Sequence, residues 1–246
     1  MQKQVVSVYG YGRFGKLWAD ILAGDFHIKV YSRRGLKKEE VSEGIEITDE
    51  KGIFDCDAIF FCVSISSLEE LLKSTKAFHK PSTVFFDTCS VKVYPAAWMK
   101  DNLPAGSQII ATHPMFGPDS YSRERPMPMV MCNVRTKENV FKEWTEYFSK
   151  KSMQVEIMTP DEHDKTVAYS QGITHYIGRV LNDINLAPTQ INTLGYQKLL
   201  EIIQQTCNDS WQLFLDLQNY NPYTCQMRDD LNNSLKKFYS IFQKKD

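Results

Sequence analysis

Apolar and polar positions along this chain fall into two regimes. Between Val5 and Met158, short apolar runs alternate with amphipathic stretches. Val5 to Tyr9 is a β-branched, apolar run. Residues 13–23 then set Phe14, Leu17, Trp18, Ile21 and Leu22 on one face of a helix. Further strands are predicted at 27–32, 57–63, 83–87, 108–112, near 129–134 and at 153–158, with a short one at 45–47. Segment 57–63 (DAIFFCV) is nearly all apolar, as a strand covered by helices on both faces should be. Helices are predicted over 66–77, through Ala96 and Trp98, and over 137–150. Ser66 or Ser67 is the expected N-cap of the first of these, with Glu69 and Glu70 near its start. Strand and helix alternating at this pitch predict an α/β fold with a doubly wound, mostly parallel sheet.

After Thr159-Pro160 the period changes. Ile173, Ile177, Val180, Leu181 and Ile184 recur at helical spacing, as do Met227, Leu231, Leu235, Phe238 and Phe242. Asn221-Pro222 breaks the helices between them. The expectation is a sheet domain over 1–159 and a smaller all-helical domain over 160–246. The second is small for an independent core. Its apolar faces are therefore expected to be completed by a second copy in a homodimer, with packing on its own sheet as the alternative.

Composition narrows the partners. Lys and Arg number 29 against 30 Asp and Glu, so nothing electrostatic points to a nucleic acid or an anionic membrane. No apolar run approaches the roughly 20 residues that span a bilayer. The opening MQKQVVSVYG runs straight into a strand pattern, so a cytoplasmic protein without a targeting segment is expected. Six cysteines, never as CxxC, read as reduced structural thiols rather than a zinc or redox motif.

The candidate chemistry begins at Gly10-Tyr11-Gly12-Arg13-Phe14-Gly15. This GxGxxG follows a strand and opens a helix, the context of a Rossmann-type dinucleotide site. Gly10 serves the tight turn, Gly12 the approach of a pyrophosphate, and Gly15 close helix packing. At the end of the second strand, 22 residues after Gly10, stand Ser32, Arg33 and Arg34 and no carboxylate. A hydroxyl and guanidinium forks suit a 2′-phosphate, so NADP is the expected cofactor. Val63-Ser64 after the fourth strand and Ser90 in the DTCSVK stretch after the fifth lie where ribose and nicotinamide should be met.

His113, in HPMFGP after the sixth strand, is the candidate general base, since imidazole titrates near neutrality. His27 and His79 read as surface. His163 and His175 lie twelve apart, roughly 120° around one predicted helix, whereas Gln171 and His175 share a face at i and i+4. No histidine cluster has metal-ligand spacing, and no metal is expected.

Three segments together, DTCSVK, ATHPMFGP and EHDKTVAYSQGITHYIGRVL, resemble the prephenate/arogenate dehydrogenase family, and most closely its plant-type arogenate branch. GYQKLL, NDSWQLF and SLKKF extend the resemblance nearly to the end. It implies a nicotinamide-binding domain followed by a dimerising helical one. It also implies an oxidative decarboxylation: hydride leaves the ring carbon bearing the 4-hydroxyl, the ring carboxylate departs as CO₂, and the ring becomes aromatic. By resemblance His113 polarises or deprotonates that hydroxyl, and Ser90 hydrogen-bonds both it and the cofactor. Gln171 and His175 match positions that hold the substrate. Arg179, one turn on, is a candidate for its carboxylate or for a structural pair. Arg228 matches a basic position of the plant-type pattern. The substrate-binding Arg motif of other branches is not found.

Arogenate carries an ammonium where prephenate carries a keto oxygen, so a nearby carboxylate would favour arogenate. Asp164 is the first candidate and Glu162 the second, with helix capping as the alternative role. Two competing identities remain at this point. One is a β-hydroxyacid dehydrogenase or pyrroline-carboxylate-type reductase; the β-hydroxyacid type would place a catalytic Lys on a helix of the second domain, where Lys165 stands, but one residue does not make that motif and HPMFGP is left unexplained. A non-enzymatic NADP-binding regulator would need neither His113 nor Ser90.

Overall fold

The computed structural model describes residues 3–243. It separates into two compact units, the first ending at Pro160 and the second beginning at Asp161. The first carries β1 (Val5–Tyr9), α1 (Arg13–Leu22), β2 (His27–Tyr31), β3 (Glu46–Ile47), β4 (Ala58–Phe61) and α2 (Ile65–Ser74). It continues with β5 (Val84–Asp87), α3 (Val93–Asn102), β6 (Gln108–Pro114), β7 (Met127–Arg135), α4 (Glu138–Lys150) and β8 (Met153–Ile157). The strands form one sheet in the order β3-β2-β1-β4-β5-β6-β7-β8. All neighbours run parallel except β6 and β7. The crossing of strand order beside β1 is where a Rossmann-type sheet opens its crevice.

Alternation within the strands decides what each face meets. Val6, Val8, Phe60 and Phe86 are buried with Trp18 of α1 and with Trp144 and Phe148 of α4 in one core. Phe60 stacks on Phe86 at 4.2 Å, and Phe86 meets Trp144 edge-on at 4.8 Å. Such ring pairs add to area burial and make this the rigid floor under the glycine turn.

Three local expectations are corrected. First, α2 begins at Ile65 with Ser64 as N-cap, not at Ser66 or Ser67. Ile65 is buried, and starting the helix there puts its side chain inside. Second, β6 runs on through His113 and Pro114, because β7 returns antiparallel and pairs Val130 with His113 and Met129 with Pro114. His113 therefore stands in the strand, not after it. Third, His79 is buried rather than on the surface. Its ring lies against Phe54 and Phe85, and Nε2 is 2.9 Å from Thr75 Oγ1.

The second unit is helical: α5 (Pro160–Val167, whose first residue closes the first unit), a π turn over Ala168–Gly172, α6 (Ile173–Asp183), α7 (Leu194–Asn208), α8 (Trp211–Asn219) and α9 (Thr224–Phe242). Thr193 caps α7 and Ser210 caps α8, each hydroxyl accepting from the N–H three residues on. Gly178 lets α7 close on α6, since a Cβ there would lie 2.1 Å from Thr206 Oγ1. The stripe of α9 is buried at Met227 and exposed in its later turns, with Leu235, Phe238 and Phe242 at 59%, 60% and 75%.

Burial pushes His79 down to about 4, against an ordinary histidine near 6.5. The unfolded chain thus takes up this proton first, and the neutral ring's contribution is complete above pH 6.5 and lost as pH falls toward 4. Urea unfolding from pH 7 to 4 should show this loss, and His79→Gln should flatten it. Parallel wild-type and variant profiles would remove His79 as the cause.

Candidate active site

The glycine turn is built by contact. Gly10 has φ +100°, its N–H donates to Tyr31 O at 2.9 Å, and a Cβ on it would sit 2.3 Å from Cys62 O. A Cβ on Gly15 would sit 1.9 Å from Gly10 O, so α1 can rest on the turn only with glycine there. Gly12 differs: nothing among the described residues lies within 4 Å of where its Cβ would be. The fold does not require glycine at 12, and the space is left open to a ligand. Gly12 is also the N-cap of α1, without a side-chain cap among the described residues and with no acid in the first turn. Unsatisfied N–H groups and the helix dipole therefore meet at that opening, which suits a pyrophosphate.

Around the turn, Tyr11 is buried and Phe14 stacks on Trp18 at 5.6 Å. Arg13 is exposed and forms a two-oxygen pair with Asp119 at 2.7 and 2.8 Å, drawing in the loop after β6. Val63 abuts Gly10, and Ser64 stands exposed at the head of α2. The three residues at the end of β2 separate in role. Ser32 is half-buried with its carbonyl accepting from Gly35 N–H at 2.9 Å, Arg33 is exposed, and Arg34 pairs with Glu40 at 2.7 Å.

One residue escaped the sequence reading. Tyr9 Oη donates to Glu50, and the rings of Tyr9 and Tyr31 meet edge-on at 5.0 Å. Burial first, then Glu50, raises the pKa of the Tyr9 phenol. A carboxylate thus stands beside the last residues of β1 and β2, supplied by the turn before β4. The sequence search looked for it on β2 itself.

DTCSVK is a knot between β5 and β6. Asp87 and Lys92 are both fully buried and paired. Lys92 Nζ also donates to Thr112 O at 2.5 Å. Asp87 Oδ2 accepts from Cys89 N–H at 3.0 Å and Oδ1 from Thr112 N–H at 3.2 Å, while Thr112 Oγ1 donates to Asp87 O. Burial pushes the Asp87 carboxyl up, and Lys92 with the two N–H groups pulls it back. Ser90 lies in the turn this knot closes. It is 7% exposed, and its Oγ has no partner among the described residues. The register pairs Asp87 with Ala111, so Ser90 and His113 stand past it at the carboxyl edge of adjacent strands. His113 is 3% exposed.

In the helical unit, Gln171 lies in the π turn and His175 in α6. Gln171 Oε1 and His175 Nδ1 are buried without a partner among the described residues. Such orphaned atoms one turn apart are costly unless a ligand meets them. His175 Nε2 is 3.7 Å from Asp209 Oδ2. Burial lowers its pKa and Asp209 opposes this. Arg179 donates to Thr206 O at 3.0 Å and Asp209 O at 2.6 Å, and lies over Trp211. Its guanidinium closes the carbonyl end of α7, which leaves little of it for a substrate.

Asp164 is not a helix cap. It is buried inside α5, with Oδ1 2.7 Å from His163 Nδ1. Glu162 is exposed in the first turn of α5, beside Asp161. Lys165 is exposed, and Arg228 donates to Gln218. No group of metal ligands occurs among the described residues.

Comparison with known proteins adds the following. The family model described as prephenate dehydrogenase, nucleotide-binding domain, matches residues 28–126, and a TYRAAT1-like, C-terminal domain model matches 180–245. Arogenate dehydrogenase 2, chloroplastic, of Arabidopsis thaliana is 32% identical over 247 residues, covering 94% of this chain and 69% of the relative. Arogenate dehydrogenase 1, chloroplastic, of the same plant is 30% identical over 249 residues, covering 97% of this chain, which spans only 38% of that protein. Among solved structures, prephenate dehydrogenase from A. aeolicus, in complex with hydroxyphenyl propionate and NAD+, superposes with a TM-score of 0.75 at 16% identity, covering 98% of this chain and 91% of that one. Synechocystis arogenate dehydrogenase gives 0.70 at 17%, covering 97% and 92%.

Replacing one member of the buried pair leaves the other uncompensated. Lys92→Met should cost about 3–5 kcal/mol in urea unfolding. Adding Asp87→Leu should recover much of it. A single variant as stable as wild type would show that the knot does not hold the turn.

Proposed function

Because the chain belongs to the prephenate/arogenate dehydrogenase family, we propose that it oxidatively decarboxylates arogenate to tyrosine with NADP. Prephenate, yielding 4-hydroxyphenylpyruvate, is the alternative substrate. The observation that carries this reading is the buried, unpartnered Ser90 Oγ in a locked turn, one strand from His113. A hydroxyl so held is prepared to meet a polar group of a ligand. A nicotinamide dinucleotide, when bound, supplies the hydride acceptor. The open space at Gly12 and the uncapped start of α1 fit its pyrophosphate.

The residues then have modest work. Loss of hydride and CO₂ leaves the 4-hydroxyl as a phenol, so the proton on that oxygen is needed at both ends of the reaction. His113 eases the oxidation by accepting a hydrogen bond from the hydroxyl, or its proton in transit, and Ser90 fixes the oxygen's position. Gln171 and His175 hold the substrate with the atoms the fold leaves unpaired. Asp164 is buried beside His163, and in its charged form favours an ammonium over a keto oxygen. For the cofactor, Ser32 and exposed Arg33 support NADP, and Glu50 tempers that preference. The exposed stripe of α9 supports a homodimer through the helical unit. All six cysteines are unpaired, as a reducing compartment such as the cytoplasm would leave them. No helix among the described residues is long and apolar enough to cross a membrane.

The direct test is steady-state turnover of arogenate or prephenate, each with NADP or NAD. Arogenate with NADP should be fastest, and silence in all four overturns the reading. His113→Asn should lower kcat by about 10²–10⁴ while NADP affinity holds; near-full activity removes the base assignment. Ser32→Asp with Arg33→Ala should shift the cofactor ratio toward NAD, and an unchanged ratio argues against a 2′-phosphate at this strand end.

A further inference from the structure

The π turn is an unusual element, and the structure shows what grips it. Gln218, buried near the end of α8, donates from Nε2 to Gly172 O at 2.9 Å. Its Oε1 accepts from Arg228 Nη1 at 2.8 Å. A guanidinium can only donate, so Arg228 fixes which way the Gln218 amide faces and aims its N–H groups at Gly172. The main chain of Gln218 is held as well, its carbonyl accepting from Thr224 Oγ1 at 2.7 Å and from Arg228 Nη1 at 3.2 Å. Thr224 also presses on the turn: a Cβ on Gly172 would lie 3.3 Å from Thr224 Cγ2.

Gly172 is the last residue of the turn. Gln171 precedes it directly, and His175 follows within the next turn of helix. A π turn persists only where its surroundings determine it, and such turns collect at functional sites. Relaxing it by one residue of winding would rotate the helix on one side about 100° against the other. Gln171 and His175, at i and i+4, would still share a face, but that face would turn away from its present setting relative to α5.

We infer that Gln218 is a positioning residue for substrate binding. Oriented by Arg228, it holds Gly172 O and keeps the π turn wound, so that the face shared by Gln171 and His175 stays at its present setting relative to α5. This rests on the reading that those two residues hold the substrate. It assigns Gln218 no contact with substrate or cofactor.

The test is Gln218→Glu in the full chain. The carboxylate keeps the size of the side chain and gains an ion pair with Arg228, but has no N–H for Gly172. The KM for the preferred ring substrate should rise about tenfold, the loss of roughly one hydrogen bond. The KM for the dinucleotide, kcat and Tm should stay near wild type. Arg228→Met, which frees the amide to turn, should move substrate KM in the same direction by less, and Arg228→Lys should restore it. A lowered Tm with substrate KM unmoved in both Gln218→Glu and Arg228→Met would overturn the inference and leave a structural contact. Gln171→Ala, in the same assay, separates the two readings. If it raises substrate KM and Gln218→Glu does not, the positioning role alone falls. If it leaves KM unchanged, the substrate reading fails and takes this inference with it.

Discussion

Asp87 and Lys92 form the contact on which the carboxyl edge of β5 and β6 depends. Withdrawing two charges from water costs several kcal/mol for each, and their attraction repays this only when geometry and further hydrogen bonds are good. Here both conditions hold. The carboxylate takes N–H groups from Cys89 and Thr112, and the ammonium takes the Thr112 carbonyl. An apolar pair of equal volume could fill the same space but would leave the 88–91 turn several conformations. The charged pair leaves it one, and that one holds Ser90 in place beside the strand of His113.

The helical unit solves the same problem with neutral groups. Gln171 and His175 sit on a helix whose winding changes midway, and side chains from elsewhere hold its carbonyls: Asn221 on Asp164, Gln218 on Gly172. Amides cost less to bury than ions but hold less firmly. The turn of the sheet unit is thus locked electrostatically, and the π turn of the helical unit is held by hydrogen bonds between neutral groups.

Much of this was legible in the sequence because it rests on local rules. The alternation of Val5–Tyr9 with the Phe14, Leu17, Trp18 face produced β1 and α1, and GYGRFG between them has a mechanism that needs only its own residues. What stayed hidden depends on distant partners. Ile65 starts α2 because the sheet offers it burial, which no capping preference of Ser66 reveals. His79 is buried because Phe54 and Phe85 come from elsewhere in the chain. For Asp164 a cap is the alternative role, from its place near a helix start, yet the fold turns it inward against His163. Glu50 reaches the end of β2 through space rather than along the strand. The π turn has no periodic signature of its own: SQGITH reads as ordinary helix until Gln218 is seen on Gly172.

The knot between β5 and β6 also bears on when the site forms. Asp87, Ser90, Lys92, Thr112 and His113 all fall within one β5–α3–β6 unit, residues 84–114. The hydrogen bonds of the Asp87–Lys92 knot close loops inside that segment, while Thr88 ties the same turn to Phe61 O of β4 through its N–H and its hydroxyl. Loops this short close early and at modest entropic cost. The knot can therefore begin as a local folding event, while the turn is completed only when β4 pairs with β5. A chain emerging from the ribosome would have β4, β5 and β6, the strands that make these contacts, before its helical unit had been synthesised.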